Sequence, residues 1–210
     1  MQIAIFLFDK VTALDAVGPY EVLSRLPGAQ VTFVGQQRGP VRTDVGSLSL
    51  HADASLDEMP EADIVLVPGG IGQQAHMADG PVHAWLRKVD AGSLHTTAVC
   101  TGSLILASAG LLAGRSATSH WVRRPDLEAW GVTPVGERVV FDGKYVTAAG
   151  VSAGIDMALQ LVDRLAGPLQ AMAIQCGIEY DPAPPYDAGH PDNVDPAIVS
   201  RLLTFKDVIF

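Results

Sequence analysis

The sequence predicts an α/β fold: a doubly wound parallel sheet with helices on both faces. Three observations predict it. Short apolar runs recur along the chain without the alternation of a half-exposed strand, as parallel strands covered on both faces require. Each run is followed by a helical pattern or by a turn leading to one, which is βαβ alternation. Two runs end in corners of small residues, Pro68-Gly69-Gly70 and Cys100-Thr101-Gly102-Ser103, so the site is expected at the carboxyl ends of the strands.

Each element has its own signal. Ile3 to Phe8 reads as the first strand: it carries no basic leader and runs straight into Asp9-Lys10, unlike a signal peptide. Ala13 to Leu26 places Leu14, Val17, Val22, Leu23 and Leu26 near helical spacing, with Gly18-Pro19 expected to open its regular part and Pro27-Gly28 to end it. Val31 to Gly35, Asp63 to Val67 and His95 to Val99 are further strands. Thr101 to Ala109 and Ala153 to Leu165 read as buried helices. Arg138 to Phe141, the turn Asp142-Gly143 and Tyr145 to Thr147 predict a β-hairpin, taken as a unit added to the sheet. Helices are expected near Leu169 to Glu179 and Pro196 to Phe205, with a Pro-rich stretch Asp181 to Pro185 between them.

Composition narrows the function. With 210 residues, roughly 70% of the extended chain's surface is buried on folding, enough for one core, so one domain over residues 1–210 is expected. Lys+Arg 14 against Asp+Glu 23 gives a net charge of −9, and no basic cluster exceeds Arg123-Arg124, which argues against a nucleic-acid surface. Charged residues are only 18% of the chain, which points to a surface covered by a partner, here a homodimer. Two cysteines, Cys100 and Cys176, are too few for a disulfide framework and lack zinc-site spacing, so a cytoplasmic setting is expected and Cys176 is assigned to the core. Ala91 to Gly114 lacks charge over a length able to span a bilayer. His95, Thr96, Thr97, Thr101, Ser103 and Ser108 are costly there, and strand, turn and helix fit better.

Cys100 carries the chemistry. It ends a strand and precedes a helix, the corner of a nucleophile elbow, where unpaired N–H groups favour the thiolate and are expected to lower its pKa. A structural cysteine is the alternative. The glycines of Pro68-Gly69-Gly70-Ile71-Gly72 let backbone N–H groups face a ligand, although Pro-Gly-Gly is also a plain turn. Asp15, in apolar surroundings after the first strand, is placed to bond the thiol or hold a water; a helix cap is its other reading. His120 is either a base for the thiol or a packing residue beside Trp121.

Several motifs together resemble the ThiJ/PfpI superfamily: Asp15-x-x-Gly18-Pro19-x-Glu21, Val67-Pro68-Gly69-Gly70, Ala98-Val99-Cys100-Thr101-Gly102-Ser103, Ala117-Thr118-Ser119-His120-Trp121 and Ala153-Gly154-Ile155-Asp156. Within it, the tail Glu179-Tyr180-x-Pro182 to Asp192 is similar to that of isocyanide hydratases. The resemblance implies a flavodoxin-like sandwich, a homodimer, and a lyase with no cofactor or metal that adds water to a small electrophilic isocyanide. It makes Cys100 the nucleophile, Asp15 its acidic partner and Thr101 a hydratase-type neighbour where proteases of the superfamily tend to have His. Gly69, Gly70, Ile71 and His120 become pocket residues. A glyoxalase or deglycase activity, a ligand-sensing domain and a cysteine redox sensor remain as alternatives. Glyoxalases of the superfamily carry Glu at the acidic position, and the regulators join the fold to a basic module that these 210 residues do not contain.

Overall fold

The apolar runs do form a parallel sheet. In the computed structural model, which describes residues 1–205, β1 (Gln2–Phe6) is followed by α1 (Ala13–Leu23) and β2 (Gln30–Gly35). A small hairpin, β3 (Gly39–Arg42) and β4 (Ser49–Ala52), precedes β5 (Ala54–Ser55) and β6 (Ile64–Val67). Then come α2 (Pro81–Gly92), β7 (His95–Val99) and α3 (Gly102–Ser108), followed by the short pair β8 (Ser116–Ala117) and β9 (Thr133–Pro134). The chain continues through β10 (Val139–Asp142), β11 (Tyr145–Ala148), α4 (Ala153–Ala166), α5 (Pro168–Gly177) and α6 (Pro196–Leu203).

The main sheet has seven strands in the order β10-β11-β7-β6-β1-β2-β5, all neighbours parallel except β10 against β11. The chain winds from β1 out to β2 and then returns across β1 to β6, β7 and β11. Right-handed crossovers that reverse direction in this way put their helices on opposite faces. Accordingly α1 packs on α4 and α4 on α5, while α2 packs on α3. Ile3, Ile5, Phe6, Ile64 and Leu66 are fully buried between the layers. The winding reverses between β1 and β6, where a crevice opens beyond the carboxyl ends of the strands.

Three expectations need correction, and one element was not foreseen. The hairpin is no added unit: β11 pairs in parallel with β7, so Tyr145 to Ala148 complete the sheet and β10 forms its edge. α1 is regular from Ala13, with Pro19 inside it. The proline is held by a close helix crossing, since a Cβ on Gly154 would lie 3.0 Å from Pro19 Cγ and one on Gly18 3.0 Å from Ile155. The β3–β4 hairpin gave no signal because its strands have four residues each, one includes Pro40, and a long loop joins them. Cys176 is exposed rather than in the core. Ile174 is the buried residue of α5, and two positions on, a helix has turned about 200° and faces away.

Candidate active site

Three strand ends deliver the site. Asp15 lies in the first turn of α1 after β1, Gly69 and Gly70 follow β6, and Cys100 follows β7. Cys100 takes the left-handed conformation, φ 58°, which costs on the order of 1 kcal/mol for a residue with a Cβ. The surroundings enforce it. The Cys100 N–H donates to Ala148 O and Ala149 O at 3.1 and 3.0 Å, and Ser103 Oγ and Ser119 Oγ donate to Cys100 O at 3.0 and 2.9 Å. Gly102 is required because a Cβ there would stand 2.0 Å from Val67 O. Cys100 is thus held at the corner between β7 and α3, with its side chain buried.

The side chain that shifts the thiol's titration is Asp15, and His120 is not among the causes. Asp15 is completely buried and makes no cap bond; its Oδ2 accepts the Gly69 N–H at 2.9 Å, and Oδ1 has no hydrogen-bond partner among the described residues. Burial raises its pKa to about 7, against the smaller opposing effects of the Gly69 amide and the Cys100 thiol. The expected thiolate is overturned. Burial pushes the Cys100 thiol up, the negative charge of Asp15 adds to this, and the amides of Thr101 and Val151 pull it down without prevailing. Both groups move up for the same reason, so the pair retains a proton at neutral pH.

The glycine turn serves differently from expectation. The Gly69 N–H is taken by Asp15, the Gly70 N–H by Thr101 Oγ1 at 3.0 Å, and the Gly72 N–H by Lys10 O at 3.3 Å. Gly69 and Gly70 therefore position Asp15 and Thr101 instead of offering amides to a ligand. Ile71, half-buried, begins a 3-10 turn over Ile71–His76, and of the four amides it alone has no acceptor among the described residues. Thr101 is fully buried and ties the β7 corner to the β6 corner through that same hydroxyl.

His120 is brought close. Its ring would touch a Cβ on Gly150, and Ser119 bonds the Cys100 carbonyl. His120 Nδ1 accepts the Val122 N–H at 3.3 Å, which puts the proton of the neutral ring on Nε2. Burial lowers its pKa to about 4, so the imidazole is neutral at physiological pH. Trp121 is tilted beside it at 5.8 Å between ring centres.

Sequence reasoning missed Val151. It holds φ 33°, and its N–H donates to the Cys100 sulfur. A lone valine before a helix carries no signal for this. Val151 and His120 line a cavity of about 470 Å³ whose far wall is the tail, through Asp187, His190 and Asn193. A larger cavity of about 790 Å³ lies at the ends of β1 and β2, against Trp85; neither cavity is lined by Asp15, Cys100 or Thr101, and only the smaller one includes Val151 and His120. No group of three or more His, Cys, Asp and Glu side chains suited to a metal occurs among the described residues. No helix among them is long and apolar enough to cross a membrane.

Comparison with known proteins gives a consistent picture. A profile of the DJ-1/PfpI family matches residues 1–164. Isonitrile hydratase of Pseudomonas putida is 42% identical over 201 residues, which are 96% of this chain and 88% of that protein. The HTH-type transcriptional regulator CdhR of Pseudomonas aeruginosa is 30% identical over 171 residues, 80% of this chain and 50% of the regulator. The crystal structure of a ThiJ/PfpI family protein from Pseudomonas syringae superposes with a TM-score of 0.94 at 34% identity, covering 99% of this chain and 88% of that one.

Proposed function

The chain belongs to the DJ-1/PfpI family, and on that footing we propose that it hydrates isocyanides to N-substituted formamides, with Cys100 as nucleophile. The observation that carries this is the buried pair of Asp15 and Cys100 at a strained strand end. The similarity to isonitrile hydratase supports it, because it extends over almost the whole chain, tail included.

The pair's protons suit the reaction. Asp15 takes the thiol proton as the sulfur bonds the terminal isocyanide carbon, then gives it to that carbon, leaving R–N=CH–S–Cys100. Water adds across C=N: its oxygen bonds the carbon, Asp15 accepts one of its protons, and the nitrogen receives a proton from Asp15. The tetrahedral carbon then collapses, the C–S bond breaks, and the remaining hydroxyl proton returns through Asp15 to the sulfur. A carboxyl with pKa about 7 serves as base and acid in turn. The amides of Val151 and Thr101 steady negative charge on the sulfur. Thr101 and the Gly69-Gly70 turn hold Asp15 in place, and His120 and Ile71 border the substrate. The atoms balance without a cofactor.

The reading includes a homodimer, in keeping with the low charge density and with Leu169 and Met172 exposed on α5, and a cytoplasmic setting that keeps Cys100 reduced. It is tested by offering the purified protein cyclohexyl isocyanide and methylglyoxal in parallel. N-cyclohexylformamide without lactate is the expected outcome. Lactate alone would transfer the assignment to a glyoxalase, and neither product would overturn the hydratase reading in favour of a sensor.

A further inference from the structure

The cavity lined by His120 and Val151 has an asymmetric charge lining. Three side chains of formal charge border it: Arg124, Arg138 and Asp187. Arg138 is paired with the Asp156 carboxylate and reaches Ser152 Oγ at 3.2 Å. Asp187 Oδ1 accepts a bond from Asn193 Nδ2 at 3.2 Å. Arg124 differs from both. It is half-buried, and among the described residues it meets no carboxylate, no carbonyl and no aromatic ring. Gly136 stands beside its guanidinium: a Cβ there would lie 3.6 Å from Nη1, in van der Waals contact, so the glycine leaves that flank open.

An unpartnered guanidinium partly withdrawn from water is unfavourable, since the group does not lose its proton. The chain has carboxylates to spare, with a net charge of −9, and Arg25, Arg38, Arg87, Arg115 and Lys144 each meet one. The same cavity includes Gly150 and Val151 in its lining, and the Val151 amide is bonded to the Cys100 sulfur. A molecule filling the cavity thus lies between Arg124 and Val151, the residue whose amide acts on the Cys100 thiol. Asp187 disfavours an anion at the tail side and directs it to the Arg124 side.

Resting on the isocyanide reading above, we propose that Arg124 is a specificity residue that anchors a carboxylate on the substituent of the substrate. The preferred class is then the isocyanide of a carboxylic acid, held by two parallel N–H···O bonds of the guanidinium with its terminal carbon directed to Cys100.

A matched pair, 4-isocyanobenzoate and phenyl isocyanide, tests it through the ratio of their kcat/KM values. In the wild-type protein the ratio is expected to favour the carboxylate by about tenfold or more, the usual weight of a hydrogen bond to a charged group. Arg124→Gln should lower that ratio by about tenfold or more, and Arg124→Lys should restore part of it. A ratio equal in the wild type and Arg124→Gln overturns the proposal, since a purely structural role would slow both substrates alike. If the wild type hydrates neither compound, the hydratase reading falls and Arg124 is judged by calorimetry with 4-formamidobenzoate. Binding weakened about tenfold in Arg124→Gln then supports the anchor; equal affinity, or no binding to the wild type, overturns it.

Discussion

Burial moves the proton at Asp15, and stability and catalysis both follow from that. The carboxyl titrates at about 7 in the folded chain and at ~3.9 unfolded. The folded state therefore keeps a proton that the unfolded state releases. The contribution is complete below pH ~4, fades between ~4 and 7, and is gone above that range. Asp15→Asn cannot ionise, so its stability relative to the wild type should improve by on the order of a few kcal/mol from pH 4 to pH 8 in urea unfolding; parallel curves would contradict the raised pKa. In turnover, the pair needs Asp15 ionised to take the thiol proton, so wild-type kcat/KM should fall as pH drops below about 7. Asp15→Asn should lose that inflection together with ~10² or more in kcat. Cys100→Ala and Cys100→Ser should abolish turnover with circular dichroism unchanged, because both keep a Cβ at the same φ and leave the bonds that hold the corner intact. Residual activity in both would remove Cys100 from the mechanism.

Between elements, single contacts join the three strand ends. The Thr101 hydroxyl links the β7 corner to the β6 turn by accepting the buried Gly70 N–H. Thr101→Val strands that donor and should cost about 1–3 kcal/mol in chemical denaturation, whereas Thr101→Ser retains the acceptor and most of the stability. Equal losses would show that volume rather than the bond matters. Gly102 marks where α3 meets the end of β6: a Cβ 2.0 Å from Val67 O requires backbone movement. Gly102→Ala should therefore be strongly destabilised. Gly92, near the end of α2 with nothing within 4 Å of its Cβ position, is the control, and Gly92→Ala should be neutral or slightly stabilised. A thermal melt of the two variants separates close approach from a general intolerance of alanine.

For the whole molecule, the apolar chain and the exposed Leu169 and Met172 of α5 lead to an expected homodimer. Light scattering at micromolar concentration should return twice 22.1 kDa, and a clean monomer would refute it. The arrangement of layers accounts for the site's position: the winding reverses at β1 and β6, so corners from β1, β6 and β7 face one crevice.

Much of this was legible in the sequence. Period and composition mark Ile3 to Phe8, Asp63 to Val67 and His95 to Val99 as strands buried on both faces, and small residues after Val67 and Val99 mark the corners, because strand burial and tight turns are local demands on residue type. The pairing of Asp15 with Cys100 followed from the winding rule and from the family resemblance together. Other features depended on contacts between distant segments. Pro19 remains inside α1 because Gly154 of α4 accommodates it, the Gly69 and Gly70 amides are taken up by Asp15 and Thr101, and Val151 reaches the sulfur from another strand's end. The thiol's rise is the clearest case. Adjacency to a helix start is written in the sequence and favours the thiolate, but desolvation depends on everything packed around Cys100, and only the tertiary structure decided that burial outweighs the amides.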